Sequence, residues 1–167
     1  MKKIYLYLFS LLVFLIFPMK AQESHDFFDA MDVFELEWAS DPQVSPDSKA
    51  IVYVRKSHDI MKDKVRSNIW QIKIDGEDHR PLYSELGNSY SPRWSPNQER
   101  LAFISNNSGS TQIHMYWFKS GETRAITQLQ ESPSSLSWSP DGKWIAFTMN
   151  VKAKSNAIVK SREKPEG

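Results

Sequence analysis

Trp138-Ser-Pro-Asp-Gly-Lys-Trp-Ile-Ala-Phe147 decides the fold, because the chain says it three times. Trp94-Ser-Pro-Asn-Gln-Glu-Arg-Leu-Ala-Phe103 and Val44-Ser-Pro-Asp-Ser-Lys-Ala-Ile-Val-Tyr53 align with it without a gap. A large apolar residue is followed by Ser-Pro-Asp/Asn, a polar pair and a short apolar run each time. The starts lie 50 and 44 residues apart, the spacing of one propeller blade rather than of a helical or leucine-rich repeat. A second element, Ile69-Trp-Gln-Ile-Lys-Ile74 and Ile113-His-Met-Tyr-Trp-Phe118, recurs at 44 residues. The six extra residues of the first unit therefore fall between Tyr53 and Ile69, where the connection is 16 residues against 10 between Phe103 and Ile113. Repeat proteins vary by such insertions while keeping their core.

The local chemistry predicts strands. Proline at the second position of Ser-Pro-Asp presets a type I turn, and the flanking Ser and Asp side chains can bond the turn's own amides. Gly142 can take a positive φ after the turn without steric cost, whereas Ser48 and Gln98 make their turns mildly strained or differently shaped. The runs Ile51-Val-Tyr-Val54 and Trp144-Ile-Ala-Phe147 are apolar on both faces, as strands covered on both sides require. Asp75-Gly76 and Ser120-Gly121 are hairpin signals, and short fourth strands fall near Arg80-Pro-Leu82 and Arg124-Ala-Ile-Thr127. The fold class is all-β: an incomplete β-propeller, with blades at about 41–84 and 88–128 and a third starting at 133–149.

Outward from the repeats, Lys2 and Lys3 precede an apolar run from Ile4 to Phe17, then Pro18-Met-Lys-Ala21. This is the layout of a secretory signal peptide over 1–21 with cleavage after Ala21, and the run is shorter than the roughly 20 residues a membrane span needs. The expectation is an exported, periplasmic or secreted protein with no stable membrane anchor. Residues 22–40 form a lead-in segment in which Phe27, Phe28, Met31, Phe34 and Trp38 have the spacing of a short amphipathic helix from His25 to Trp38. Residues 150–167, with five Lys/Arg and two Glu, read as a charged loop in which the chain stops.

Composition excludes whole classes of function. The 167 residues hold 21 Lys+Arg against 20 Asp+Glu, so there is no basic footprint for nucleic acid. Without cysteine there are no disulfides, thiolate metal sites or cysteine nucleophiles. No Gly-x-Ser-x-Gly elbow occurs. The four histidines, 25, 58, 79 and 114, stand at no recognisable metal spacing. Asp75-Gly-Glu-Asp78 lacks the rest of a calcium loop, and Asn106-Asn-Ser108 matches a glycosylation acceptor only formally. Trp94 and Trp138 recur in register, which core packing explains better than ligand stacking. No catalytic, cofactor-binding or metal residue is assigned, and no cofactor is expected.

The repeats resemble exported TolB-like propellers. Val33-Phe-Glu-Leu36 with Ser40-Asp-Pro-Gln-Val-Ser-Pro-Asp47, the Met61-Lys-Asp-Lys-Val-Arg-Ser-Asn-Ile-Trp70 segment, Ser91-Pro-Arg-Trp-Ser-Pro96, Leu136 to Met149 and Lys164-Pro-Glu-Gly167 narrow the likeness. Together they resemble the N-terminal part of the prolyl oligopeptidase family of serine peptidases, in its acylaminoacyl- and dipeptidyl-peptidase branch. That resemblance implies a gating propeller over an α/β-hydrolase domain with a Ser-His-Asp triad, acting on short peptides by acyl transfer. No residue of this sequence matches the triad, so the 167 residues alone are expected to be inactive. Two readings stay open: the propeller portion of an exported serine peptidase, with peptide substrates reached through the hydrolase domain, or a non-enzymatic TolB-like propeller that binds protein partners. Closed propellers have roughly four to eight blades, so the last strands are expected to present an open edge where protein partners could bind.

Overall fold

The computed structural model describes residues 31–151; the signal-peptide expectation for 1–21 and nearly all of the charged loop lie outside them. One helical turn, α1 (Asp32–Glu35), is followed by ten strands. These are β1 (Glu37–Val44), β2 (Ala50–Asp59), β3 (Lys64–Lys73), β4 (Arg80–Tyr83), β5 (Ser89–Trp94), β6 (Arg100–Ser105), β7 (Gln112–Trp117), β8 (Thr123–Ala125), β9 (Pro133–Trp138) and β10 (Ile145–Met149). They pair in chain order into three antiparallel sheets, β1-β2-β3-β4, β5-β6-β7-β8 and the hairpin β9-β10. Two four-stranded blades and the opening of a third are in place, as the repeats require.

The three Ser-Pro turns are built alike. Ser45, Ser95 and Ser139 each accept the amide three residues on (2.8, 2.9 and 2.9 Å) and donate their own amide to the carbonyl five residues on. Each serine hydroxyl donates to the Asp47, Asn97 or Asp141 side chain at 2.6, 2.8 and 2.5 Å and accepts the amide of Ala50, Arg100 or Trp144 at 3.0 Å. The fourth turn position has φ 59° at Ser48, 60° at Gln98 and 67° at Gly142. Ser48 and Gln98 thus hold the shape the glycine adopts freely, at the steric cost of a left-handed conformation.

Two apolar layers lie between the sheets. Val52, Val54 and Ile69 of blade 1 meet Leu101, Phe103 and Tyr116 of blade 2, with Leu82, Tyr83 and Trp94 at the margin. The opposite face of blade 2 supplies Ala102, Ile104, Ile113 and Met115 to a second layer with Leu136, Trp138 and Ile145 of blade 3. Period-two alternation in β6 sends Leu101 and Phe103 one way and Ala102 and Ile104 the other, and all four are fully buried. A run that is apolar on both faces is what a blade between two neighbours needs.

The six-residue insertion lengthens the first hairpin. β2 and β3 have ten residues each and pair without a break from Ala50↔Lys73 to Asp59↔Lys64, whereas β6 and β7 have six. The longer arm also reassigns the lead-in segment. Backbone groups of β2 beyond Val54 pair Ala39 with Arg55, Trp38 with Lys56 and Glu37 with Ser57. The first strand therefore starts at Glu37, inside the segment 22–40 predicted to precede the blade. The predicted helix from His25 to Trp38 is, among the described residues, a helix only at Asp32–Glu35, because Trp38 gains a β partner that the hydrophobic spacing could not reveal.

Candidate functional site

β1, β5 and β9 are the first strands of their sheets and lie against one another across the joints. Each carries a bulge at the same place. Asp41-Pro42, Ser91-Pro92 and Ser135-Leu136 stand as two residues opposite one, at register shifts between Ser40 and Gln43, between Tyr90 and Arg93, and opposite the Ala146 to Thr148 step. Their first residues have φ of 48°, 54° and 54°. Bulges of this kind bend the strand and re-aim the next side chains. The residue signalling each is a small polar one three positions before the landmark, a pattern visible in the sequence but not read from it as a bulge.

The re-aimed residues fasten the joints. Trp94 Nε1–H donates to the Gln43 carbonyl at 3.2 Å, and Trp138 Nε1–H donates to the Arg93 carbonyl at 3.0 Å, so each landmark indole bonds the residue one before the landmark on the preceding blade. Arg93 Nη1 donates to both oxygens of Asp41 (3.0 and 2.9 Å) and to the Pro92 carbonyl at 2.6 Å, while Gln43 Nε2 donates to Asp41 Oδ1 at 2.9 Å. At the next joint the Arg100 guanidinium lies 5.0 Å from the Trp138 ring centroid and donates to the Gly142 carbonyl at 2.9 Å. The tryptophans expected to pack therefore do pack, and they also carry a directional bond.

The histidines stay apart. His25 lies outside the described residues. His58, in β2, packs on Trp38 at 5.4 Å between ring centroids and meets Phe34 edge-on at 6.4 Å. His79 Nε2 is 2.6 Å from the Tyr53 hydroxyl, and its ring stands 5.1 Å from that of Trp70. His114 is buried in β7 against Phe103 and Tyr83, and neither ring nitrogen has a hydrogen-bond partner. Burial holds its pKa below the usual histidine value, so the ring stays neutral. At the Asp75–Asp78 tip the Asp75 carboxylate accepts the Glu77 amide, and Asp78 accepts from Gln71 and Arg80. Asn106 Oδ1 accepts the Asn88 amide at 2.7 Å. No group of three or more His, Asp or Glu side chains that could hold a metal occurs among the described residues. The geometry here is one of joints and surfaces rather than of proton transfer.

The comparisons with known proteins agree with this geometry. The uncharacterized peptidase YuxL of Bacillus subtilis (strain 168) is 33% identical over 138 residues, covering 82% of this chain and 21% of its own length. Dipeptidyl-peptidase 5 of Porphyromonas gingivalis is 28% identical over 117 residues, covering 70% of this chain and 17% of its own. The chain thus spans about a fifth of the length of these curated relatives. Among solved structures, Pyrococcus horikoshii acylaminoacyl peptidase in its orthorhombic crystal form superposes with a TM-score of 0.63 at 18% identity, over 83% of this chain and 22% of that one. Residues 37–166 match the family model described as PD40, TolB beta propeller domain, and the chain belongs to that family.

Proposed function

We propose that this chain is the first part of the propeller that gates an exported serine peptidase of the dipeptidyl- or acylaminoacyl-peptidase type. The carrying observation is the 33% identity to a protein named as a peptidase across 82% of this chain, beside blades that pack as a propeller's do. The propeller restricts entry, and a hydrolase domain with a Ser-His-Asp triad supplies the acyl transfer to serine. On this reading the chain contributes walls and selectivity, and the hydrolase domain the nucleophile and the base. Export rests on Lys2, Lys3 and the Ile4–Phe17 run.

The test compares the 167-residue chain with the product of the reading frame extended downstream, on dipeptidyl and acyl-amino-acid p-nitroanilides. Hydrolysis blocked by a serine-directed inhibitor is expected only from the extended product; the same turnover by the 167 residues would overturn the reading. Amino-terminal sequencing of protein recovered from the cell exterior or periplasm is expected to begin at Gln22. The TolB propeller description of the family also accommodates a second reading, a non-enzymatic TolB-like propeller binding protein partners. An extended product that has no hydrolase activity and retains a specific protein partner would establish that reading instead.

A further inference from the structure

The extended β2–β3 hairpin overhangs its neighbour. Blade 2's hairpin stops at Ser105↔Gln112, while blade 1's continues to Asp59↔Lys64. The overhang and the start of β5 enclose a cleft of about 510 Å³, walled by Val54, Lys56 and Val65 on one side and by Asn88 and Tyr90 on the other. Lys56 alternates in step with Val52 and Val54, so it stands on the face turned to blade 2, just past the buried apolar layer. The corresponding position in blade 2 is Asn106, in the β6–β7 loop rather than on a strand arm. Chain insertion at the first hairpin is what creates the cleft.

Besides the hydroxyls of Ser40, Ser67 and Ser91, three hydrogen-bond donors on this lining are unused. The Lys56 ammonium has no ion-pair or hydrogen-bond partner among the described residues, and neither does the Tyr90 hydroxyl. Burial raises the Tyr90 pKa, which keeps the phenol protonated and able to donate. Asn88 is held by its Oδ1, which accepts the Ser67 amide at 3.0 Å, and its Nδ2 is left without a protein acceptor. One carboxylate, Asp41, also borders the cleft, but Arg93 and Gln43 already donate to it. The hairpin's outer arm is net positive, with Arg55, Lys56, Lys62, Lys64 and Arg66 against Asp59 and Asp63, and by the same alternation Arg55, Lys64 and Arg66 stand on the opposite face, which leaves Lys56 as the strand cation on the cleft side. A positive arm with low-dielectric walls raises the local concentration of anions.

We propose that this cleft binds a carboxylate-bearing short peptide. The oxyanion meets Lys56 Nζ, Asn88 Nδ2 and the Tyr90 hydroxyl, and the adjoining peptide side chain lies against Val54 and Val65. Mixed apolar walls with a few convergent donors are the usual make-up of a small-ligand site. The inference rests on the peptidase reading, since it names a substrate class for the same propeller, but it is read out by binding without turnover. It can fail while the gating role stands, and a chain that binds acidic peptides keeps this site even if no hydrolase partner exists.

The test titrates the 167-residue chain with Ac-Ala-Val-Glu-Ala-NH2, its Gln counterpart, and Ac-Ala-Val-Ala-Ala bearing a free carboxyl terminus, following heteronuclear NMR shifts. Saturable binding of a carboxylate peptide is expected, about tenfold tighter than the Gln peptide, with Lys56→Met weakening it by about the same factor and Tyr90→Phe by less. The two carboxylate arms separate a side-chain acid from a peptide terminus. Denaturant unfolding establishes that each variant is folded, and Tyr90→Phe keeps the ring's packing in case Lys56→Met is disruptive. No saturable binding of either carboxylate peptide up to about 10 mM would overturn the proposal. So would an equal loss with Lys62→Met, which would reduce the effect to diffuse attraction.

Discussion

His114 places a neutral imidazole between blades 1 and 2 with both nitrogens unpaired, and that has a thermodynamic consequence. Its folded pKa lies below the unfolded value of about 6.5, so the unfolded chain takes up the proton first as pH falls. Stability is therefore fully present above about pH 6.5 and declines as pH drops from there toward the lower folded pKa. The urea midpoint should fall between neutral and mildly acidic pH, and His114→Phe should flatten that slope without a penalty at neutral pH, because no hydrogen bond is lost. A steeper slope in the variant would refute this account. Trp138 offers the opposite case. Trp138→Phe leaves the Arg93 carbonyl without its indole donor and weakens the Arg100 contact, at an expected cost of about 1–2 kcal/mol in equilibrium unfolding.

At the scale of the element, the repeated turn separates what a sequence shows from what it conceals. Ser-Pro-Asp-Gly carries its geometry in local chemistry, so the turns at Ser45, Ser95 and Ser139 were legible from their residues alone. The prediction that Ser48 and Gln98 are strained can be measured: Ser48→Gly should stabilise the chain by about 0.5–1 kcal/mol, offset in part by greater freedom of the unfolded chain. An unchanged or lowered unfolding midpoint would show that the turn relaxes in another way. The bulges at Asp41, Ser91 and Ser135 were marked only by a polar residue three positions before each landmark, which becomes a bulge signal once the pairing of two residues against one is seen. Trp38 was misplaced on a helix for the same reason. Its spacing from Phe34 fits one turn, but the edge of an elongated hairpin offers backbone partners, and pairing outcompetes periodicity. Of the cleft, the insertion between Tyr53 and Ile69 was readable, while placing Lys56 opposite Asn88 and Tyr90 depends on stacking two sheets.

Across the whole described region, the large apolar side chains left in solvent include one beside the third sheet. Trp144 is 73% exposed, at the position where Arg100 covers the following blade's indole one repeat earlier. The 167-residue chain should associate as its concentration rises, and Trp144→Arg should shift the sedimentation profile toward monomer; equal association in both proteins would place the sticky surface elsewhere. The indole-to-carbonyl bonds at both joints give the array a direction. Blade 2 brings a side-chain donor backward and offers a main-chain acceptor forward, and the acceptor carbonyls belong to different residue types, Gln43 and Arg93. A fastening that addresses only the neighbour's backbone is blind to the neighbour's sequence. The indole bond itself therefore survives a change of residue type at the acceptor position, which makes it a grammar for lengthening the chain, while side-chain contacts such as Arg93 with Asp41 are particular to one joint.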